Sequence, residues 1–311
     1  MFKILIVGFG SIGYRYFEAI NKISLPVIKL FIVDKKIKSL TKNLDLNIKS
    51  IKTFENLKNL PKKLNLCIIS TTCQNRHILL KKIINETDCE NLIIEKPLTQ
   101  SPNELLKLNF VLKNMKNIWV NTDRRSLDIY KFIKSKICFK NKILMRVQGN
   151  NLGICCNSLH FVDLFNFLTN EYLFKIEEKS TFTWFPSKRK GFKELDNGKL
   201  KLKFGNHELY LSSKKNSLPK NLEILIKNKG NTFYIKEKSD LFELKYNKKI
   251  IYFKNNPTSI KMTKIIKKIL LKGKSDLPNY LIVAKLYHPL IDFFLKKWLT
   301  FIPKSRKVPI T

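Results

Sequence analysis

The sequence predicts an α/β protein: an amino-terminal, doubly wound parallel sheet followed by a second α/β domain built on a mostly antiparallel sheet. Three observations predict it. Short, continuous apolar runs alternate with segments of helical length up to Val120, a glycine-rich turn follows the first of these runs, and beyond Val120 the apolar runs shorten and are separated by Asn, Gly and Lys turns. Continuous apolar strands belong to parallel sheets covered on both faces, whereas closely spaced runs with polar turns suit antiparallel pairing. With 311 residues, 44% of them hydrophobic, the chain can supply two cores, and the change of pattern puts the domains at 1–120 and 121–311.

The elements follow in order. Phe2-Lys3-Ile4-Leu5-Ile6-Val7 reads as a strand that stops at Gly8, and a helical pattern runs from about Ile12 to Ile20. A second run, Ile28 to Val33, ends at Asp34; a third, Leu66 to Ile69, ends at Ser70-Thr71-Thr72; a fourth, Asn91 to Ile94, ends at Glu95-Lys96-Pro97. His77 to Ile84 and Asn103 to Leu112 are the intervening helical segments. Past Trp119-Val120 comes an apolar helix, Ser158 to Leu168. Candidate strands are Ile143 to Val147, Thr181 to Phe185, Leu209 to Ser212, Leu222 to Ile226, Thr232 to Ile235 and Ile250 to Phe253. Two helices, Thr258 to Leu271 and Asn279 to Leu299, close the chain, and no internal repeat is present.

Charge is the loudest compositional signal, at a formal +36. Taken alone it points to a polyanion as partner. The lysines, however, are spread over the whole chain beside abundant Ile, Asn, Leu and Phe, and none of their runs interleaves with aromatics on a nucleic-acid motif. Weak, salt-sensitive polyanion binding is expected rather than a specific nucleic-acid site. No apolar run has the roughly 18 residues of a membrane-spanning helix, and Ile4 to Phe9 is too short for a secretory core, so a soluble cytoplasmic protein is expected. The six cysteines form no CxxC pair, which favours reduced thiols and no metal site.

Gly8-Phe9-Gly10-Ser11-Ile12-Gly13 is a GxGxxG sequence set between a strand and a helix. Gly8 permits the tight turn, Gly10 lets the backbone approach a pyrophosphate, and Gly13 lets helix and strand pack closely, with the phosphates at the helix N-terminus. Asp34 closes the next strand 21 residues after Gly13, where a carboxylate can accept hydrogen bonds from ribose hydroxyls. That combination predicts NAD; Lys35 and Lys36 could neutralise a 2′-phosphate, so NADP stays open. Ser70, Thr71, Thr72 and the Glu95-Lys96 pair end strands on the edge where ligands of such sheets bind, and Lys96 could polarise a substrate oxygen or shuttle its proton. Ser70, Thr71 and Thr72 have a plainer alternative, a polar strand end that caps the next helix, and for Glu95-Lys96-Pro97 it is an ordinary occurrence in a lysine-rich chain. Asn157, His160 and Asp163 recur at steps of three on the apolar helix, so they share one face and need partners if buried. His160 is either a core histidine or an acid/base.

These residues together resemble the glucose-fructose oxidoreductase, inositol dehydrogenase and MocA family of NAD(P)-dependent oxidoreductases. The resemblance rests on Gly8 to Gly13, Ser70-Thr71-Thr72 with His77 after it, Glu95-Lys96-Pro97, Arg125, and Gly153 to Phe165. It implies a Rossmann domain followed by an α/β domain that lines the substrate site and often makes homo-oligomer contacts. It also implies Lys96 near the reacting carbon, His160 as acid/base, Asn121 and Arg125 near nicotinamide and substrate with Asn157 beside His160, and a cofactor set that takes in Phe9, Ser11, Ile12, His77 and Glu95. Many members carry an acidic residue four positions before the helix histidine; this chain has Cys156 there. The stretch Cys156-Asn157-Ser158-Leu159-His160 is similar to enzymes of surface-polysaccharide or nucleotide-sugar metabolism, which implies a sugar-like substrate. The basic loop from Ser187 to Glu194 is either a contact for an anionic sugar or a solvated hairpin tip. The incomplete acidic pair leaves a second class open: a dinucleotide-binding sensor or assembly subunit without redox catalysis.

Overall fold

The computed structural model describes residues 1–25, 28–40, 50–216 and 221–311. They divide into two compact units, one of residues 1–99, 103–121 and 257–280, the other of 100–102, 122–256 and 281–311. The sequence pattern sets a boundary near 120; the structure adds that the stretch 257–280 returns to the amino-terminal unit.

The first unit is built on six parallel strands, β1 (Phe2–Val7), β2 (Ile28–Val33), β3 (Ile51–Phe54), β4 (Leu66–Ile69), β5 (Leu92–Ile94) and β6 (Ile118–Val120), in the order β3-β2-β1-β4-β5-β6. This is the doubly wound order, with its switch point between β1 and β4. Every residue of β4 is buried, as are Ile4 to Val7 of β1 and Leu30 to Val33 of β2, because helices cover both faces. These are α1 (Ser11–Asn21), α2 (Arg76–Glu86) and α3 (Pro102–Leu112), joined by a helix from the far end of the chain, α6 (Thr258–Lys272). Met262, Ile265, Ile266 and Ile269 of α6 share a core with Tyr16, Phe17 and Ile20 of α1, and the Thr263 hydroxyl donates to the Ala19 carbonyl at 3.0 Å. Burying side chains of this size contributes about 1.5–3 kcal/mol each, which explains why α6 joins this unit despite its place in the sequence.

Register decides what the sheet does with its polar strand ends. Val7 pairs with Val33 and with Ile69, Ile69 with Ile94, and Ile94 with Val120. The next residues, Gly8, Asp34, Ser70, Glu95 and Asn121, therefore form one row along the carboxyl edge.

In the second unit an eight-stranded sheet comprises β7 (Ile143–Asn150), β8 (Lys175–Ser180), β9 (Gly198–Phe204), β10 (His207–Lys214), β11 (Leu222–Asn228), β12 (Asn231–Glu237), β13 (Leu241–Tyr246) and β14 (Lys249–Lys254). The order is β8-β9-β10-β7-β11-β12-β13-β14, with β10 and β7 parallel and the other neighbours antiparallel. Helices α4 (Asp128–Lys136), α5 (Ile154–Thr169) and α7 (Tyr280–Leu299) belong to the same unit. Strand β9 was not anticipated: its buried Leu200, Leu202 and Phe204 alternate with Lys199, Lys201 and Lys203, and that dense lysine masks the period of two. The expected strand at 181–185 runs over Thr183–Pro186 and leaves the large sheet to pair with Lys193–Asp196 in a separate hairpin. Its tip, Lys188 to Gly191, is exposed. No helix among the described residues is long and apolar enough to cross a membrane, none of their His, Cys, Asp and Glu residues group to hold a metal, and all six cysteines are free thiols.

Candidate functional site

In the first unit the glycine turn is shaped by its neighbours. Gly8 has φ +92°, and a Cβ there would meet Thr71 at 2.8 Å; a Cβ on Gly13 would lie 2.1 Å from the Gly8 carbonyl oxygen. Both positions therefore exclude any side chain. Gly10 differs, since a Cβ on it meets nothing within 4 Å. It opens onto free space at the start of α1, whose first turn holds no acidic residue and no side-chain cap, so its N–H groups face outward for an anion. The turn is fastened on both sides. Ser70 donates its hydroxyl to the Gly8 carbonyl at 2.6 Å, and Asp34 accepts the Phe9 amide at 2.7 Å and the Lys36 amide at 2.8 Å. The Phe9 ring is buried against Phe17, so its part in the site is structural. Ser11 is exposed at the helix start, Ile12 and Thr72 are half-buried, and the Thr71 hydroxyl is buried without a hydrogen-bond partner among the described residues. A pyrophosphate and ribose fit this donor set: outward amides, an open face at Gly10, and a carboxylate with acceptor capacity left.

Lys96 stands at the end of β5, half-buried, joined to Pro97 by a cis peptide bond. Its neighbour Glu95 is buried and accepts hydrogen bonds from the Tyr16 hydroxyl at 2.7 Å and the Asn121 amide at 2.6 Å. Burial raises the Glu95 carboxyl above its ordinary value, and these two donors oppose the rise. Asn121 thus bonds to the residue before Lys96, and its other amide atom, Oδ1, is buried without a hydrogen-bond partner among the described residues. His77 goes elsewhere: it lines a cleft between α2 and α3 with Lys81, Leu106 and Phe110, and burial lowers its pKa. The residue before it, Arg76, was not anticipated. It is fully buried and donates to the carbonyls of Thr71, Glu95, Pro97 and Leu98.

In the second unit α5 begins at Gly153, in the left-handed region at φ +68°. A carboxylate supplied by the hairpin, Glu194, caps this helix by accepting the amides of Cys155 and Cys156 at 2.5 and 3.1 Å. Burial pushes Glu194 up to about 7. Two turns on, His160 is half-buried with its Nδ1 3.9 Å from the Asp123 carboxylate. The rest of the polar stripe is committed to the fold: Asn157 donates to the Leu152 carbonyl, and Asp163, fully buried, is gripped by the Arg125 guanidinium, which also reaches Asn166 at 2.9 Å. Arg125, implied near the substrate, is bonded to α5, and its neighbour Arg124 lines a cavity together with Lys238. That cavity, of about 460 Å³, is lined by Arg124, Asn157, His160, Phe161, Asn221 and Glu237 among others. Arg124 lies over the Phe161 ring at 4.5 Å and pairs with Glu237 at 2.9 Å.

Residues 2–122 match the Gfo/Idh/MocA family, described as an oxidoreductase family with an NAD-binding Rossmann fold. The match is to that family's NAD-binding Rossmann domain and covers the first unit's sheet. No curated protein matches the sequence. Among solved structures, the chain is similar to a dehydrogenase (MviM) from Clostridium difficile, with TM-score 0.70 and 18% identity over 95% of this chain and 99% of that one. A UDP-N-acetylglucosamine 3-dehydrogenase from Acidithiobacillus ferrooxidans has TM-score 0.69 and 12% identity over 94% and 96% of the two chains. The transcriptional regulator Gal80p from Kluyveromyces lactis has TM-score 0.71 and 16% identity over 94% and 91%. At these identities the likeness establishes the shared fold.

Proposed function

We propose that this chain is an NAD(P)-dependent oxidoreductase that moves hydride between nicotinamide and a secondary alcohol or ketone of a sugar, nucleotide-sugar or cyclitol, in surface-polysaccharide metabolism. The observation that carries this reading is the turn at Lys96. A lysine on the strand-end edge is flanked by fastened neighbours: the buried Glu95 carboxylate accepts from Tyr16 and Asn121, and the buried Arg76 guanidinium donates to the carbonyls of Glu95 and Pro97, more ordering than the turn of a solvated lysine needs. The dinucleotide, when bound, supplies the hydride acceptor or donor. Gly10 and the α1 amides receive its pyrophosphate, and Asp34 its ribose hydroxyls, which favours NAD over NADP. Lys96 donates to the substrate oxygen and steadies the charge that develops there; His160 takes or returns the hydroxyl proton. The chain assembles as a homo-oligomer in this reading.

The test is turnover of the purified chain with NAD and NADP across a panel of sugars, nucleotide-sugars and cyclitols. Lys96→Ala is expected to abolish turnover while NAD binding survives, and unchanged turnover overturns the role. A second reading, a dinucleotide-binding sensor or assembly subunit, is favoured by Cys156 one turn before His160, where family resemblance leads one to expect an acid. Tight NAD binding with no turnover of any panel member supports it.

A further inference from the structure

We propose that Arg76 is a positioning residue for Lys96: its guanidinium gathers the carbonyls around the Lys96 turn and fixes where the ammonium stands. The inference rests on the proposed role of Lys96. Arg76 is 1% exposed, at the start of α2. One terminal nitrogen donates to the carbonyls of Glu95, Pro97 and Leu98, at 2.5, 2.5 and 3.2 Å; the other donates to the Thr71 carbonyl at 2.8 Å. A buried guanidinium is costly unless its donors are met, and here the two terminal nitrogens are met by backbone carbonyls, three of them from the residues that flank Lys96. A planar fork can bridge two strand ends, that of β4 through Thr71 and that of β5 through Glu95, in a way a single ammonium cannot. Because Glu95 is separately held by Tyr16 and Asn121, the Lys96 backbone is fixed before and after its own Cα. Holding a proton-handling group within a fraction of an ångström is worth large factors in rate: a displacement of about 1 Å can cost about 100-fold.

The test uses the full chain with Arg76→Lys and Arg76→Ala, each checked for folding by circular dichroism and for NAD affinity by fluorescence titration. Lysine acylation at Lys96 is then measured by mass spectrometry relative to Lys81 and Lys107 of the same unit. Both variants are expected to label severalfold differently from wild type at Lys96 and equally at the reference lysines. Ethylguanidinium restores the wild-type rate in Arg76→Ala and not in Arg76→Lys, whose own chain fills the gap. Wild-type labelling of Lys96 in a folded, NAD-binding variant overturns the proposal, as does a change that added ethylguanidinium leaves untouched in Arg76→Ala. Should neither variant fold, the wild-type protein is read by NMR: slowly exchanging Arg76 Nη protons with Overhauser contacts to Lys96 support the proposal, and rapid exchange overturns it. Failure of the catalytic reading is separable, because it shows as unchanged turnover in Lys96→Ala, whatever Arg76 does to labelling.

Discussion

The Asp34 carboxylate accepts the Phe9 amide proton at 2.7 Å, so the residue that closes β2 also ties down the glycine turn after β1. One side chain thereby shapes the glycine turn and, in the proposed function, offers acceptors to the ribose. Removing it is expected to act on both. Asp34→Ala should lower stability by about 1.5–3 kcal/mol, the usual worth of a charge-assisted hydrogen bond, and weaken NAD about tenfold while narrowing the preference for NAD over NADP. Urea denaturation and paired titrations with the two dinucleotides check this; an unaltered preference removes Asp34 from the ribose site.

Gly10 and Gly13 separate ligand space from packing space. Gly10 has extended backbone, φ −74° and ψ −166°, and an open face, so Gly10→Ala should change stability by under about 1 kcal/mol yet weaken NAD at least about tenfold. Gly13→Ala puts a methyl 2.1 Å from the Gly8 carbonyl oxygen and should destabilise by about 3 kcal/mol or more. Thermal melting with and without NAD distinguishes them, and equal melting losses in the two variants contradict the assignment.

Glu194 makes the second unit pH-dependent. Its carboxyl is lifted from 4.5 to about 7, chiefly by burial, so between those values the folded chain holds more protons than the unfolded one. Stability contributed by this group is fully present below about pH 4.5 and falls as pH rises to about 7, by about 3 kcal/mol in all. Glu194→Gln should flatten that part of the curve. Urea midpoints for both proteins at pH 5 and pH 8 test it; parallel curves count against the buried acid.

Arg125 offers a choice between a substrate contact and a helix anchor. Its guanidinium spans both carboxylate oxygens of Asp163, a residue with no exposed surface. Arg125→Ala strands a buried charge and should cost about 3–5 kcal/mol, whereas the double variant Arg125→Met with Asp163→Leu should recover much of it. Denaturation of the single and double variants decides the matter, and a single variant as stable as wild type returns Arg125 to the substrate side.

The first unit was legible because its signals are local. An apolar run ending in glycine, an Asp at the next strand end, and Glu-Lys-Pro at another each mark a place in a parallel sheet, and register alone then puts Gly8, Asp34, Glu95 and Asn121 in one row. Arg76 and Glu194 were not legible. Both act through partners distant in sequence, Arg76 on carbonyls about 20 residues on and Glu194 on amides almost 40 residues back, and nothing in a lone charged residue announces a backbone partner. The same holds for Arg125 and Arg124: adjacent in sequence, one is bonded to Asp163 of α5 and the other lines the cavity, and only packing against α5 decides which is captured.

His160 and Asp123 face each other in the second unit. The imidazole lines the cavity, with Nδ1 3.9 Å from the Asp123 carboxylate, longer than a formed hydrogen bond and within the range that tightens when substrate orders a site. If His160 exchanges the substrate proton through Nε2, a carboxylate facing Nδ1 selects the tautomer and stabilises the imidazolium. Asp123→Asn then leaves NAD binding intact and lowers turnover about 100-fold, with His160→Asn at least as severe. The double variant should be no worse than His160→Asn alone, because two groups serving one proton transfer are not additive. Steady-state kinetics on the three proteins provide the check: multiplicative losses would make Asp123 and His160 independent, and an undiminished Asp123→Asn would leave His160 without its orienting partner.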